Sequence, residues 1–425
     1  MEWVFWGMIA IVCCLVAAIT YGFLAPLKVH FTAQLEKLPT MDLQSSDTPF
    51  VGLALSGGGA RAAVFAAAGM QALHERGLLA PVTHVSSVSG GGFAASYLGV
   101  HPVPDGDASP YFDRMQAVLA LDYFWDTQTR QLSKPSRLFS PSRRLNSLKD
   151  ALERSDFLGT AQFDVLTSDR VFYFNAVSYD TGHRFVFSNG VLPPAGPKTE
   201  QRLPPALRTL SFSDLTGLRA TPSTFPLSLA VATSAAFPPY LGPMTIEVDK
   251  GDRANEYWHL GDGGVVENTG LETLREAIYA RNDAQPATIY SFDAGQKLDG
   301  DLSKNTHDIS IWSRDVTRLV DVVTEYATAQ RQTMFDALDE KTGMDINVLS
   351  FDYMEVVRLA KSANPPDPRW LSWSGWQHAT PQDRAASKTP ADHLAKIPTA
   401  LKITPCNQEL IAAAATFLVE QRFPR

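Results

Sequence analysis

The sequence has few cysteines and no excess of positive charge, and both shortages exclude classes of protein. Only 3 of its 425 residues are Cys, too few for a scaffold held together by disulfides. The sequence has 37 Lys and Arg and 45 Asp and Glu, which gives a formal net charge of −8. A net negative charge argues against a nucleic-acid binder. Gly and Pro number 28 each, near ordinary usage, which excludes collagen and low-complexity chains. Because 45% of the residues are hydrophobic, the chain can bury a core and is not disordered.

The longest stretch without charge lies at the N-terminus, from Trp3 to Leu27. About 20 apolar residues cross the hydrocarbon core of a bilayer, and aromatic residues at both ends are typical of its interfaces. A cleaved signal peptide is the alternative, but no positively charged segment precedes the run. Lys28 and Lys37 follow it, which favours a cytoplasmic body. We therefore predict a single-pass membrane protein with an N-terminal transmembrane anchor over residues 1–27.

The rest of the chain has the pattern of an α/β domain. Residues 28–49 are broken by Pro, Asp and Ser and are interpreted as a linker to a catalytic domain over residues 50–425. That domain opens with an apolar strand over 50–55, a Gly turn and an Ala-rich helix over 60–76. A β-branched strand over 82–88, a second Gly turn and a second helix follow. Strands that alternate with helices in this way predict a mostly parallel sheet.

Further elements follow from local patterns. A β-hairpin is predicted over 171–177 and 184–187, and a strand over 288–292. Three helices are predicted over 229–236, 313–338 and 410–419. In the helix over 313–338, the apolar side that includes Val323 and Met334 is interpreted as core packing. Residues 364–398 are rich in Pro, Trp and Ser and predict a long irregular loop.

The second Gly turn has the strongest chemical signal. In Ser87-Val88-Ser89-Gly90-Gly91 the pattern is G-x-S-x-G with Ser in place of the first Gly. Small residues around such a Ser allow a tight strand-to-helix elbow that exposes its hydroxyl. The N-terminus of the following helix points at Ser89 and favours developing negative charge. Ser89 is therefore the candidate nucleophile; a Ser-Gly-Gly-Gly loop without catalysis is the alternative.

The first Gly turn, Gly57-Gly58-Gly59-Ala60-Arg61, places consecutive backbone N–H groups at a helix N-terminus. Two chemistries use such an anion cradle. One is an oxyanion hole for a tetrahedral intermediate. The other is dinucleotide binding, since Gly57, Gly59 and Ala62 match G-x-G-x-x-A. The strand that ends at Val88 lacks the acidic residue that a dinucleotide needs, which disfavours the second interpretation.

A carboxylate between glycines is the third candidate element. Asp262 in Asp262-Gly263-Gly264 can approach another loop closely, and partial burial would raise its pKa enough for it to act as a base. Asp293, followed by Ala and Gly, is a second candidate of the same shape. His259 is three residues back along a probable strand and should face elsewhere. No metal-ligand spacing such as H-E-x-x-H or C-x-x-C is present.

Four blocks in this order resemble the patatin-like phospholipase family. They are the Gly turn over 57–61, the elbow over 87–91, the segment over 232–239 (ATSAAFPP) and the Asp-Gly-Gly turn over 262–264. The resemblance covers roughly residues 50–300, and the match of the extension over 301–425 is less specific. The resemblance implies a three-layer α/β/α sandwich with a mostly parallel central sheet, and a Ser–Asp dyad instead of a triad.

Carried over to this sequence, the resemblance makes Ser89 the nucleophile and Asp262 the base, and demotes Asp293 and His259. Gly57, Gly58, Gly59 and Arg61 then form the oxyanion hole, and Ser87, Gly90 and Gly91 shape the elbow. The implied activity is hydrolysis of fatty-acyl esters of phospholipids or lysophospholipids, with no cofactor and no metal. The expected partners are membrane lipid and the bilayer, not nucleic acid. A neutral-lipid esterase or acyltransferase, or a non-catalytic membrane scaffold, is the alternative.

Overall fold

The computed structural model describes most of the chain. The described ranges are 2–24, 28–31, 49–134, 137, 144–166, 169–190, 209–212, 224–238, 240–248, 256–281, 285–295, 314–362, 376 and 378–424. The fold and the site below are those of these residues.

The N-terminal apolar run forms helix α1, Glu2–Leu24. Among the residues that the structure describes, no helix is both long and apolar enough to span a bilayer. The predicted transmembrane helix is therefore not supported.

One ten-stranded sheet organises the described chain. Its strands are β1 Lys28–Phe31, β2 Phe50–Leu55, β3 His84–Val88, β4 Val171–Ser178, β5 Arg184–Ser188, β6 Leu210–Ser211, β7 Met244–Val248, β8 Glu256–Asp262, β9 Ala287–Asp293 and β10 Ile346–Asp352. Their order is β1-β7-β8-β4-β3-β2-β9-β10, and β5, which also pairs with β6, pairs with β4 beside this path. The run from β4 through β3, β2 and β9 to β10 is parallel, whereas β8 is antiparallel to β4. The predicted, mostly parallel sheet is confirmed.

Helices cover both faces of the sheet. They are α2 Gly59–His74, α3 Gly90–Val100, α4 Ser109–Leu119, α5 Tyr123–Ser133, α6 Arg144–Leu152, α7 Leu227–Ser234, α8 Leu271–Ala280, α9 Arg314–Thr342, α10 Tyr353–Ser362, α11 Pro381–Ala386, α12 Pro390–Leu394 and α13 Pro405–Arg422. Strand residues alternate between two cores, because successive side chains of a strand point to opposite faces. Leu53 and Leu55 join the core of α2, α3 and α13, while Phe50 and Ala54 join the core of α8. The three-layer α/β/α arrangement follows.

Most local predictions are confirmed, and three need correction. Residues 28–31 of the predicted linker form β1, which pairs in parallel with β7, so the sheet begins before residue 50. The predicted irregular loop contains α11 and α12. On α9, Val323 is 53% and Met334 41% exposed, so the prediction that they pack in a core is wrong. The α9 residues that contact α8 are instead Phe335 and its neighbours, which face Tyr279.

Candidate active site

Ser89 occupies a strained elbow between β3 and α3. Its φ of 49° makes it the only non-glycine residue of the described chain in the left-handed region. Such a conformation costs about 1–3 kcal/mol and persists where the surroundings enforce it. Ser89 itself is partly exposed although β3 and α3 are buried around it. This geometry is that of a nucleophile on a strand-to-helix elbow.

The elbow requires glycine because other backbone passes directly over it. A Cβ on Gly90 would lie 2.0 Å from the carbonyl oxygen of Gly59, and one on Gly91 would lie 2.5 Å from that of Leu55. These distances are far below any real Cβ contact, and neither obstacle is a flexible side chain. The close approach places the two Gly turns against each other. Ser87, the departure from the G-x-S-x-G pattern, fits because its hydroxyl donates to the carbonyl of Tyr173.

Strand register brings Asp262 to the same place as Ser89. Val88, the residue before Ser89, pairs with Asn175 of β4. The next β4 residue, Ala176, pairs on its other side with Asp262 at the end of β8. Ser89 and Asp262 therefore lie on either side of one position of β4. Their backbones are about two strand spacings apart, or roughly 10 Å, and two side chains that point toward each other can span this distance.

The Asp262 carboxyl is buried and only partly hydrogen-bonded. It is 1% exposed, its Oδ1 accepts the amide N–H of Gly264 at 2.7 Å, and its Oδ2 has no hydrogen-bond partner of ordinary length among the described residues. Burial raises its pKa to about 7, although the Gly264 amide and the Ser89 hydroxyl each act to lower that pKa. The Ser89 hydroxyl thus affects this carboxyl without an ordinary hydrogen bond to it, and such bonds are commonly imperfect before substrate binds. A carboxyl with a pKa near neutrality is well matched to general-base catalysis.

Three backbone amides of the two Gly turns point to no acceptor. Among the described residues, no hydrogen bond takes the N–H of Gly58, Gly59 or Gly90. Gly57 differs, because its N–H donates to the carbonyl of Asn268 at 2.9 Å. The donors that remain for an oxyanion are therefore Gly58 and Gly59 of the predicted set, together with Gly90 of the elbow.

Arg61 has a supporting position in this turn. Its guanidinium, 2% exposed, donates to the carbonyls of Ala294 and Ile397 and to the hydroxyl of Thr399, at 3.0, 2.7 and 3.0 Å. The neighbouring Ala60 N–H donates to the carbonyl of Ala400 at 2.7 Å. The side chain of Arg61 thus ties the first Gly turn to the C-terminal segment over 397–400 and does not itself supply an amide donor.

Two residues without a predicted role lie at the centre of the site. The Ser234 hydroxyl accepts the Ser89 N–H at 2.9 Å and donates to the Asn175 carbonyl at 2.6 Å, which fixes the elbow to β4. The Asn268 side chain packs against the turns: its Oδ1 would lie 2.2 Å from a Cβ on Gly57 and 2.8 Å from one on Gly264. Ser234 belongs to the sequence block over 232–239, which was a signal for its role. The sequence signal for Asn268 was only its position shortly after Asp262.

The rival bases lie elsewhere. Asp293 is at the end of β9, on the far side of β2 from the elbow, and its Oδ1 accepts the N–H of Gly295. The His259 ring contacts the Asp180 carboxylate at 2.8 Å on the exposed side of β8. The Ser89 hydroxyl, by contrast, is close enough to the Asp262 carboxyl to lower its pKa.

We predict that Ser234→Ala lowers kcat about tenfold with little change in KM. The variant leaves the Ser89 N–H without its acceptor and frees the elbow to shift, which lowers kcat through misplacement and costs about 1–3 kcal/mol of stability. Steady-state kinetics on a short-chain ester measures both constants. Ser228→Ala in the same helix, whose hydroxyl donates to Glu153, is the matched control. An unchanged kcat in a folded Ser234→Ala protein would show that this contact does not position the nucleophile.

One family model and several solved structures are similar to this chain. The family model for patatin-like phospholipase matches residues 53–275, which contain both Gly turns, Ser89 and Asp262. Human GIVD cytosolic phospholipase A2 is similar at 13% identity and a TM-score of 0.47, over 88% of this chain and 59% of its own. VipD from Legionella pneumophila is similar at 12% identity and a TM-score of 0.25, over 90% of this chain and 93% of its own.

This chain thus spans 59% of the length of the human phospholipase. A search of curated proteins finds no significant match. The family model covers more than half of the chain, from the second half of β2 to the middle of α8. The chain therefore belongs to the patatin-like phospholipase family.

Proposed function

We propose that this protein is a serine hydrolase that cleaves fatty-acyl esters of lipids through an acyl-enzyme on Ser89. The observation that carries the proposal is the buried carboxyl of Asp262, with a pKa near 7, across β4 from the only strained non-glycine residue described. A structural Asp would be expected to be paired or exposed, since an isolated buried carboxylate destabilises a fold. A buried carboxyl that lowers the stability of the fold is typical of functional sites.

The mechanism follows from the positions of the groups. Asp262 takes the proton of the Ser89 hydroxyl as Oγ attacks the ester carbonyl, and the oxyanion forms against the amides of Gly58, Gly59 and Gly90. Asp262 is then neutral, which burial favours, and it returns the proton to the departing alcohol. Water, deprotonated by Asp262, attacks the acyl-enzyme, and collapse of the second tetrahedral intermediate releases the fatty acid and restores the Ser89 hydroxyl.

Phospholipids or lysophospholipids are the proposed substrates, in line with the family to which the chain belongs. Exposed apolar side chains near the site support action at a lipid surface. Phe124 and Trp125 are 41% and 63% exposed, and the Phe124 amide donates to Leu401, next to the Ala400 that contacts the first Gly turn. The Lys402 ammonium lies over the Phe124 ring. A location at the cytoplasmic side of a membrane belongs to the same proposal and rests on the sequence.

Product analysis on mixed lipids tests the substrate. Vesicles that contain phospholipids, lysophospholipids and triacylglycerol are incubated with the protein and with Ser89→Ala, and mass spectrometry follows every class. We expect free fatty acid and lysophospholipid, or glycerophosphodiester from lysophospholipid, with the wild-type protein alone. Depletion of triacylglycerol alone would favour the neutral-lipid alternative. New acylated lipids in place of fatty acid would favour acyl transfer.

A further inference from the structure

Three potential metal ligands meet among the short helices near the C-terminus. Asp383 of α11, His393 of α12 and Cys406 of α13 each place a ligand atom within 4.8 Å of the other two. Cys406 is 3% and His393 8% exposed, whereas Asp383 is partly exposed. The cluster lies outside the active site and has no part in the mechanism above.

The donors are of the types that zinc prefers. A thiolate, an imidazole and a carboxylate bind Zn²⁺ at about 2.0–2.3 Å in a tetrahedral arrangement, which separates the ligand atoms by roughly 3–4 Å. Nε2 of His393 and Oδ1 of Asp383 are 3.8 Å apart. The same Nε2 also lies at hydrogen-bond distance, 2.7 Å, from Oδ1 of Asn407. Little movement is needed to enclose an ion.

Some polar groups of this region are left unpaired. Nδ1 of His393 and the hydroxyl of Ser387 are buried without a hydrogen-bond partner among the described residues. Asp383 uses its Oδ2 to accept from the amide and hydroxyl of Thr380, so its Oδ1 remains directed at His393. A native structure keeps few such orphaned atoms, and an ion bound at Nδ1 of His393 would give that nitrogen the partner it lacks.

We propose that Asp383, His393 and Cys406 bind one Zn²⁺ ion in a structural site. The ion would join three helices of which α11 and α12 are only 6 and 5 residues long. The segment between α12 and α13 contains Ile397, Thr399 and Ala400, which hold Arg61 and the first Gly turn. Zinc binding therefore stabilises the surface against which the oxyanion amides are placed.

Metal binding is tested on the full-length protein with Cys13→Ser and Cys14→Ser, since those two exposed thiols could bind zinc themselves. The protein is freed of metal with a chelator and titrated with Zn²⁺ alone and with Co²⁺ alone. We expect one Zn²⁺ per chain by elemental analysis, a thiolate-to-cobalt charge-transfer band, and a higher Tm with Zn²⁺.

Cys406→Ser in this background is expected to lose the band and the zinc-dependent rise in Tm. Asp383→Asn, which keeps an oxygen for the Thr380 contacts, is expected to weaken Zn²⁺ binding at least tenfold and decides the matter if Cys406→Ser does not fold. His378→Ala, which removes an exposed ring paired with Glu409 in the same region, is the matched control and should bind normally. Absence of the band from the background protein, or its persistence in Cys406→Ser, would overturn the proposal.

Discussion

Ser89→Ala is expected to lower kcat/KM for a short-chain p-nitrophenyl ester by about 10⁴-fold or more, because the acyl-enzyme can no longer form. The loss should occur without unfolding. Alanine retains the backbone N–H that donates to Ser234, and the positive φ strains Ala and Ser alike, so the free energy of unfolding should change by less than about 1 kcal/mol. Denaturant unfolding beside the kinetics separates the two effects.

A fluorophosphonate probe provides an independent readout for the same variant. It should label the wild-type protein at Ser89, which peptide mass spectrometry can locate, and it should not label Ser89→Ala. Ser96→Ala is the matched control, because Ser96 is buried in α3, the helix that follows Ser89, and its hydroxyl donates to the Phe93 carbonyl. Normal turnover by Ser89→Ala would remove the basis of the proposed mechanism, and a probe that never labels Ser89 would favour a non-catalytic scaffold.

The central fold was predictable because its signals are local. Residues 50–100 contain two strands, two Gly turns and two helices in immediate succession, and the structure has β2, α2, β3 and α3 at those places. Glycines mark the turns because backbone crosses backbone there, as it does between Gly90 and Gly59. The pattern therefore predicts both the elements and the two turns of the site.

The contacts that position the elbow could not be predicted in this way. Ser89 and Ser234 are 145 residues apart, and their hydrogen bond joins a backbone amide to a hydroxyl. Nothing in the composition around Ser234 distinguishes that hydroxyl from Thr233, which donates to Leu229 within its own helix. The pairing depends on the strand order, which places β4 between β3 and β8. No local sequence pattern predicts this strand order.

The irregular loop predicted over 364–398 shows a different kind of error. Pro was interpreted there as a breaker, yet α11, α12 and α13 each begin with a Thr N-cap followed by Pro at the first helical position. Pro is well suited to that position because its missing N–H would have no partner anyway. The Thr-Pro pairs at 380, 389 and 404 were therefore an available signal for helix starts. Spacing rules for metal sites do not apply to Asp383, His393 and Cys406, because these residues come from three separate helices.

Asp262→Asn is expected to lower kcat/KM by about 10⁴-fold, since an amide cannot accept the proton of Ser89. In the wild-type protein kcat/KM should rise with pH and level off above a midpoint near 7, where the Asp262 carboxyl ionises. Chromatography of the released acid avoids the pH-dependent colour of p-nitrophenol. A wild-type midpoint below about 5 would contradict the assignment of Asp262, as would full activity in Asp262→Asn. Asp293→Asn is the matched control and should remain active.

The same substitution should make the protein more stable at alkaline pH. The pKa of Asp262 is about 7 in the folded protein and near its ordinary value of 3.8 when unfolded. Between these values the unfolded chain loses the proton first, so the wild-type free energy of unfolding falls as pH rises from 4 to 7 and then stays level. Asp262→Asn has no proton to lose there, and its advantage should grow from none at pH 4 to roughly 4 kcal/mol above pH 7. Denaturant unfolding at pH 4.5 and pH 8.5 measures this difference. A carboxyl kept for structure would show the opposite sign, so a gain in stability together with loss of turnover would identify Asp262 as a group that is present for chemistry and not for folding.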